Sequence, residues 1–190
     1  MNDAAPLVTA QHHAVRFYEN DKALAQIVAQ FLCAGLAAGN PGIVVATPTH
    51  RGAILKELVA KSLDVVQLQR SHDLVLLDAQ ETLSIFMTNG KPEAEAFQNS
   101  MCEVIRMVCR GRPNCTVRMY GEMVDVLWKN GQQEAAIRLE ILWNQLANSQ
   151  AFSLLCGYSM GQFYKDADVQ EICRHHTHTV SANGELTAVA

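Results

Sequence analysis

Asp78 closes the apolar run Leu74-Val75-Leu76-Leu77, which has the outline of the strand-end carboxylate that holds magnesium in nucleotide hydrolases. That role needs a phosphate-cradling loop of Gly, four residues, then Gly-Lys-Ser/Thr, whose backbone N–H groups wrap the phosphates. The Gly-Lys pair of this chain is Gly90-Lys91; Pro92 follows it and no glycine stands five residues upstream. The first strand–helix junction reads Tyr18-Glu19-Asn20-Asp21, where two carboxylates repel a triphosphate and no glycine permits close approach. ATP hydrolysis is disfavoured. Asp78 reads first as the cap of the following helix and second as a pocket residue.

Seven histidines and six cysteines raise the question of a metal, and the densest cluster is Cys173-Arg174-His175-His176-Thr177-His178. Zinc asks for about four ligands in tetrahedral array, and no second cluster stands at zinc-finger spacing. Cys173 and His176 share a face if this stretch is helical, but histidines near a carbonyl-rich helix end need no metal to explain them. No cofactor and no metal are expected. The cysteines lack the dense pairing of a disulfide scaffold and read as reduced, buried thiols. No Gly-x-Ser-x-Gly elbow is present, so the chain reads as non-enzymatic. The segment Arg118 to Trp128 places a charge within a strand and Gly121-Glu122 at a strand–helix junction. The helix dipole accounts for Glu122, and Arg118 is expected to pair with Asp78 or Glu122. Structure and ligand contact weigh equally for Arg118 and Glu122.

The elements that must position these residues follow from periodicity. Ala14 to Tyr18 is a short strand, and Asn20 or Asp21 caps a helix carrying Leu24, Ile27, Val28, Phe31, Leu32 and Leu36 on one stripe, stopped by Gly39-Asn40-Pro41-Gly42. Gly42 to Ala46 is apolar on both parities, as a doubly buried strand should be, and Thr47-Pro48 opens a helix to about Lys61. Strands are expected at Val65 to Leu68, Leu74 to Leu77, Cys115 to Tyr120 and Phe152 to Cys156. Helices are expected through Phe97 to Val108, Gly121 to Lys129 and Gln133 to Asn148. This alternation implies right-handed crossovers and a mainly parallel α/β sheet with helices on both faces. One domain over residues 11–180 is expected, with residues 1–10 and 181–190 frayed.

At 190 residues and 49% apolar content, the chain is large enough for one continuous core. No apolar run approaches a membrane span and the start carries no export signal, so a cytoplasmic protein is expected. A formal charge of −4 without a basic block argues against direct nucleic-acid binding.

Six stretches, in order from about residue 11 to 180, together resemble the MEDS sensory family. They are His13-Ala14-Val15-Arg16-Phe17-Tyr18, Leu76 to Leu83, Asn89-Gly90-Lys91-Pro92, Arg118 to Trp128, Arg138 to Asn144, and Leu154 to Tyr158. The resemblance implies a RecA- or KaiC-like fold without a P-loop, in a family described as sensing hydrocarbon derivatives. Members are usually fused to a DNA-binding module or a histidine kinase; this chain has room for neither, so it is expected to relay its signal by docking to another protein, such as a histidine kinase, or to a second copy. Carried to this sequence, the family motifs fall on His13, Tyr18, Asp78, Arg118, Glu122, Glu140, Trp143 and Tyr158. Tyr18, Trp143 and Tyr158 are candidate pocket walls; Arg118, Glu122 and Asp78 are candidate orienting groups. Trp143, spaced four from Leu139 and three from Leu146, reads first as core. The expected function is a non-enzymatic sensor of a small, mostly apolar ligand. The alternatives are a degenerate RecA-like nucleotide-binding protein and a thiol or metal redox sensor.

Overall fold

Asn20 caps the first helix through its side-chain oxygen, which accepts from the Ala23 N–H at 2.9 Å. Pro48, pre-set in φ, stands in the first turn of the second helix, and Asp78 caps a later one by accepting from the Gln80 and Glu81 N–H groups. A computed structural model describes residues 11–163 and 166–189. In chain order they form β1 (His13–Tyr18), α1 (Asp21–Ala37), β2 (Gly42–Ala46), α2 (Pro48–Ala60), α3 (Val65–Arg70), β3 (Leu74–Asp78) and α4 (Ala79–Phe86). A hairpin of β4 (Met87–Thr88) and β5 (Lys91–Pro92) precedes α5 (Ala94–Val108), β6 (Val117–Gly121), α6 (Met123–Lys129) and α7 (Gln133–Ala147). β7 (Phe152–Ser159), α8 (Asp166–Cys173), β8 (His178–Val180) and β9 (Leu186–Ala188) complete the order.

Seven strands make one sheet in the order β3-β2-β6-β7-β1-β8-β9, parallel throughout except for β9 against β8. Alternate residues of each central strand feed two cores. Ile43, Val45, Val117, Met119 and Leu154 face α4 to α8, while Val44, Ala46, Tyr120 and Leu155 face α1 to α3. The expected α/β fold, mainly parallel and covered on both faces, is the one observed. It is consistent with a RecA-like layout. The helix after β2 lies on one face and the helix after β6 on the other, so the carboxyl ends of these neighbouring strands open a crevice between them. The same holds for β1 and β7. Such switch points are where open α/β sheets bind ligands.

Four local expectations are corrected. Val65 to Leu68 is helical, because the Asp64 carboxylate accepts from the Gln67 N–H and starts a turn before the β-branched pair Val65-Val66 can extend. Cys109 and Cys115 form a disulfide, with Cα atoms 5.6 Å apart; Gly111 and Asn114, both at positive φ, fold the chain back between them. Residues 181–189 are ordered as a turn and strand β9, since the Ser181 hydroxyl accepts from the Asn183 and Glu185 N–H groups and closes a hairpin. Gly121 ends β6 rather than opening a helix, and α6 begins after Glu122. Residues 1–10 lie outside the described residues.

Arg118 lies at the amino end of β6, where its aliphatic stem covers Gly35 of α1 and its guanidinium sits 5.1 Å from the Phe31 ring centroid. A Cβ on Gly35 would collide with the Arg118 Cγ. Ala is better than Gly in a helix interior by about 1 kcal/mol, whereas overpacking a filled site costs about 1 to 3 kcal/mol. Overpacking wins. Gly35→Ala is therefore expected to lower stability by about 1 kcal/mol, against its helix propensity; urea unfolding that shows a gain would contradict this packing.

Candidate functional site

At the carboxyl edge of the sheet, the crevice between β2 and β6 is filled by Glu122. Its Oε1 accepts from the Thr47 backbone N–H at 2.5 Å, and its Oε2 lies 2.5 Å from His50 Nδ1 and accepts from the Tyr120 hydroxyl at 3.0 Å. Burial alone would raise the Glu122 pKa, but His50 and Thr47 outweigh it and hold the group below the usual carboxylate range. The hydrogen bond to Glu122 in turn raises His50 against the opposing effect of burial, with Asp21 adding to the rise from 3.3 Å. The neighbouring crevice, between β7 and β1, is filled by Asp125. Its carboxylate accepts from the Ser159 N–H at 3.0 Å and the Tyr18 hydroxyl at 3.2 Å, and lies 2.7 Å from Lys129 Nζ. A cleft of about 170 Å³ remains, lined by Thr47, His50, Gln80, Glu122, Asp125 and Lys129. The strand-end amides at Thr47 and Ser159, which could have met a phosphate, are engaged by the chain's own carboxylates.

A second polar cluster lies inside the sheet face that packs on α7. Glu140, from the middle of α7, is fully buried. Tyr158 donates to its Oε1 at 2.8 Å, His13 Nε2 stands 3.1 Å from its Oε2, and His176 Nε2 stands 3.4 Å from its Oε1. Cys156 completes the group, with Sγ 3.4 Å from His13 Nε2 and 3.6 Å from Glu140 Oε2. Burial works to raise Glu140, but His176, His13 and Tyr158 prevail and hold it at about 2. Burial lowers His176 to about 4, more than Glu140 can restore. Burial and the adjacent carboxylate push the Cys156 thiol up. Beside this cluster a cleft of about 460 Å³ opens to solvent, lined by Ile141, Trp143, Ala147 and Phe152 with His13, Asn144 and Thr177.

The model of one protein family, the methanogen/methylotroph, DcmR sensory domain called MEDS, matches residues 12–177. The chain belongs to the MEDS family. A search of curated proteins returns no match. The match spans every strand from β1 to β7 and stops at the residue before β8, so both carboxylate clusters fall within the MEDS domain.

The eight residues that the sequence resemblance singles out separate into distinct places. Tyr18 and Glu122 belong to the carboxyl-edge group, where the latter is the central acceptor. Asp78 stands at the end of β3, where it caps α4 and pairs with Arg51 at 2.9 Å. Arg118 lies at the opposite end of β6 from Glu122, and among the described residues neither Asp78 nor Glu122 pairs with it; Arg51 and His50 take those carboxylates instead. His13, Glu140 and Tyr158 meet in the inner cluster. Trp143 is core, edge-on to Phe97 at 4.9 Å and to Phe152 at 5.9 Å, and its ring also borders the larger cleft.

Several participants escape sequence reasoning. His50 and Asp125 join the carboxyl edge from α2 and α6; the available signal was a second acid, three residues after Glu122, in the apolar helix Met123–Lys129. Cys156 and Asn144 gave no signal of their own. The histidine-rich stretch 175–178 does not act as a unit. His176 turns inward, His175 points to Glu171 at 3.4 Å, and His178 lies on β8.

The Glu122–His50 pair has a definite pH signature. His50 has a raised folded-state pKa, so its stabilisation is complete below the unfolded value of 6.5 and is lost as pH climbs through the folded value. Glu122 has a depressed one, so its contribution is complete above 4.5 and is lost as pH falls. Wild-type stability in urea should therefore decline above pH 6.5, and His50→Gln should remove that decline. An alkaline limb equally steep in the variant would dissociate His50 from the effect.

Proposed function

We propose that this MEDS domain is a non-catalytic cytoplasmic sensor that takes up a small, mostly apolar molecule, a hydrocarbon derivative, and passes the signal on by contact with another protein such as a histidine kinase. The observation that carries this reading is the self-satisfied carboxyl edge. Glu122 and Asp125 supply internal anions to the Thr47 and Ser159 amides, so a phosphate approaching these crevices meets two carboxylates and no free cradle. Recognition of a nucleotide by the usual means of such sheets is thereby disfavoured, which leaves membership of a sensory family as the guide to function.

The larger cleft suits the proposed ligand. Its volume of about 460 Å³ falls in the ordinary range for small-molecule sites, and apolar walls with a few polar groups are their usual construction. Ile141, Trp143 and Phe152 supply the walls; Asn144 and Thr177 supply hydrogen-bonding tips. No described helix is long and apolar enough to cross a membrane. The route from cleft to partner runs through α7, which carries Glu140 on its buried side and the half-exposed Ile141 on the other.

The reading predicts that, in a panel of short halogenated and hydroxylated hydrocarbons, at least one compound raises the Tm of the purified chain. Ile141→Glu, placing a charge at the cleft mouth where the native side chain is 40% exposed, should abolish that rise while leaving unliganded stability within about 0.5 kcal/mol. ATP with magnesium should produce no heat of binding in calorimetry. A panel without any response, or micromolar ATP binding lost on changing Asp78, would favour the degenerate nucleotide-binding reading instead.

A further inference from the structure

We propose that His13, Glu140, Cys156 and His176 form a closed, four-ligand site for a divalent cation of borderline softness, zinc in type. The four come from β1, α7, β7 and the turn between α8 and β8, and one ligand atom from each lies within 4.8 Å of the others. All four residues are buried. A tetrahedral zinc centre with bonds of about 2.0 to 2.3 Å has ligand–ligand edges of roughly 3.3 to 3.8 Å. The edges of 3.1, 3.4 and 3.6 Å among His13 Nε2, Glu140 Oε2 and Cys156 Sγ lie close to that range, and His176 Nε2, which stands 3.4 Å from the other carboxylate oxygen, Oε1, has to close on these three to complete the set.

Hydrogen bonds on the outer side of each ring set the lone pairs that face inward. Asn144 donates through Nδ2 to the His175 carbonyl at 2.9 Å, which fixes its amide and leaves Oδ1 to accept from His13 Nδ1 at 2.8 Å. The Ile172 carbonyl likewise accepts from His176 Nδ1 at 2.8 Å. Each Nδ1 is thus an N–H of its ring, which leaves the Nε2 of each ring to face the Glu140 carboxylate. Among the described residues His176 Nε2 is buried with no hydrogen-bond partner. The Cys156 S–H can serve only one of the acceptors it faces, His13 Nε2 or Glu140 Oε2, and the His176 ring, 4.2 Å from that of His13 between centroids, still turns its Nε2 into the cluster. A single divalent ion meets all four lone pairs at once. Tyr158, donating to Glu140 Oε1, orients the carboxylate from outside, as outer partners of metal ligands usually do.

The donor set selects the ion. Two imidazoles and a thiol beside a single carboxylate suit zinc and exclude calcium or magnesium, which call for oxygen ligands. On binding, the Cys156 S–H bond breaks, the sulfur pair goes to the metal and the proton leaves to solvent. Four protein ligands leave no open position for a bound water, so the ion would clamp β1, α7, β7 and the turn before β8 rather than catalyse. This assignment stands whether or not the neighbouring cleft takes a small molecule.

The test is cobalt(II) and zinc(II) titration of the purified chain after reduction and chelation. One equivalent of cobalt(II) should give the intense visible bands of tetrahedral coordination and a near-ultraviolet thiolate charge-transfer band; zinc should displace it. A hundredfold excess of zinc over Kd should raise the Tm by about 5 to 10 °C. Cys156→Ser should lose the charge-transfer band, whereas Cys173→Ser and His178→Gln should keep it. Should Cys156→Ser fail to fold, His176→Gln carries the same test through a tenfold or greater loss of affinity. Absence of stoichiometric binding by the wild-type chain, or a charge-transfer band that survives Cys156→Ser or disappears with Cys173→Ser, would overturn the proposal.

Discussion

A parallel sheet covered on both faces leaves its central strands with almost no contact with water, and this constraint governs every charged group placed near them. Glu140 is 0% exposed and Glu122 1%. An ionised group at such a depth carries a penalty of several kcal/mol unless the chain itself supplies its partners. Each carboxylate therefore draws elements together. Glu122 joins β6 to the start of α2 through Thr47 and His50, and His50 extends the link to α1 through Asp21. Glu140 joins α7 to β1, β7 and the turn after α8.

These clusters are not what makes the fold stable. A buried ionic group is often no better than a well-packed apolar replacement, and sometimes worse by about 1 to 4 kcal/mol. Stability resides in the two apolar layers: Ile43, Val45, Met119 and Leu154 on one side, and Val44, Ala46 and Leu155 on the other. What the carboxylates add is chemical character at particular places. At the carboxyl edge they close two switch-point crevices to phosphate. Inside, they gather His13, Cys156 and His176 around one acid, next to the cleft bordered by Trp143. In this parallel α/β sheet the strand-end amides of Thr47 and Ser159 are thus engaged by the chain's own carboxylates.

Much of this was legible in the residues. The capping role of Asp78 follows from an acid at the end of an apolar strand, and Trp143 reads as core from its spacing to Leu139 and Leu146. The strand at Gly42–Ala46 is legible because both parities are apolar, which only a doubly covered strand tolerates. Other assignments failed where local propensity and local capping disagreed: Val65-Val66 favours a strand, yet the Asp64 cap turns it into a helix. Arg118 was misread because its stretch of β6 faces Gly35 and Phe31, not the strand end where the carboxylates stand.

The sequence alone determined the fold class, the absence of a phosphate-binding loop and the kinship with a sensory family, because each depends on periodicity, on a contiguous motif or on the order of short stretches. Which polar residues meet was decided by the tertiary structure. His13, Glu140, Cys156 and His176 are separated by 127, 16 and 20 positions in the chain, and nothing in those intervals predicts contact. Strand pairing of β1 with β7, the rotation of α7 that points Glu140 inward, and the turn that swings His176 away from His175 and His178 bring them together. Long-range register and helix rotation are set by the packing of the whole core, so this constellation is unreadable until the chain has folded.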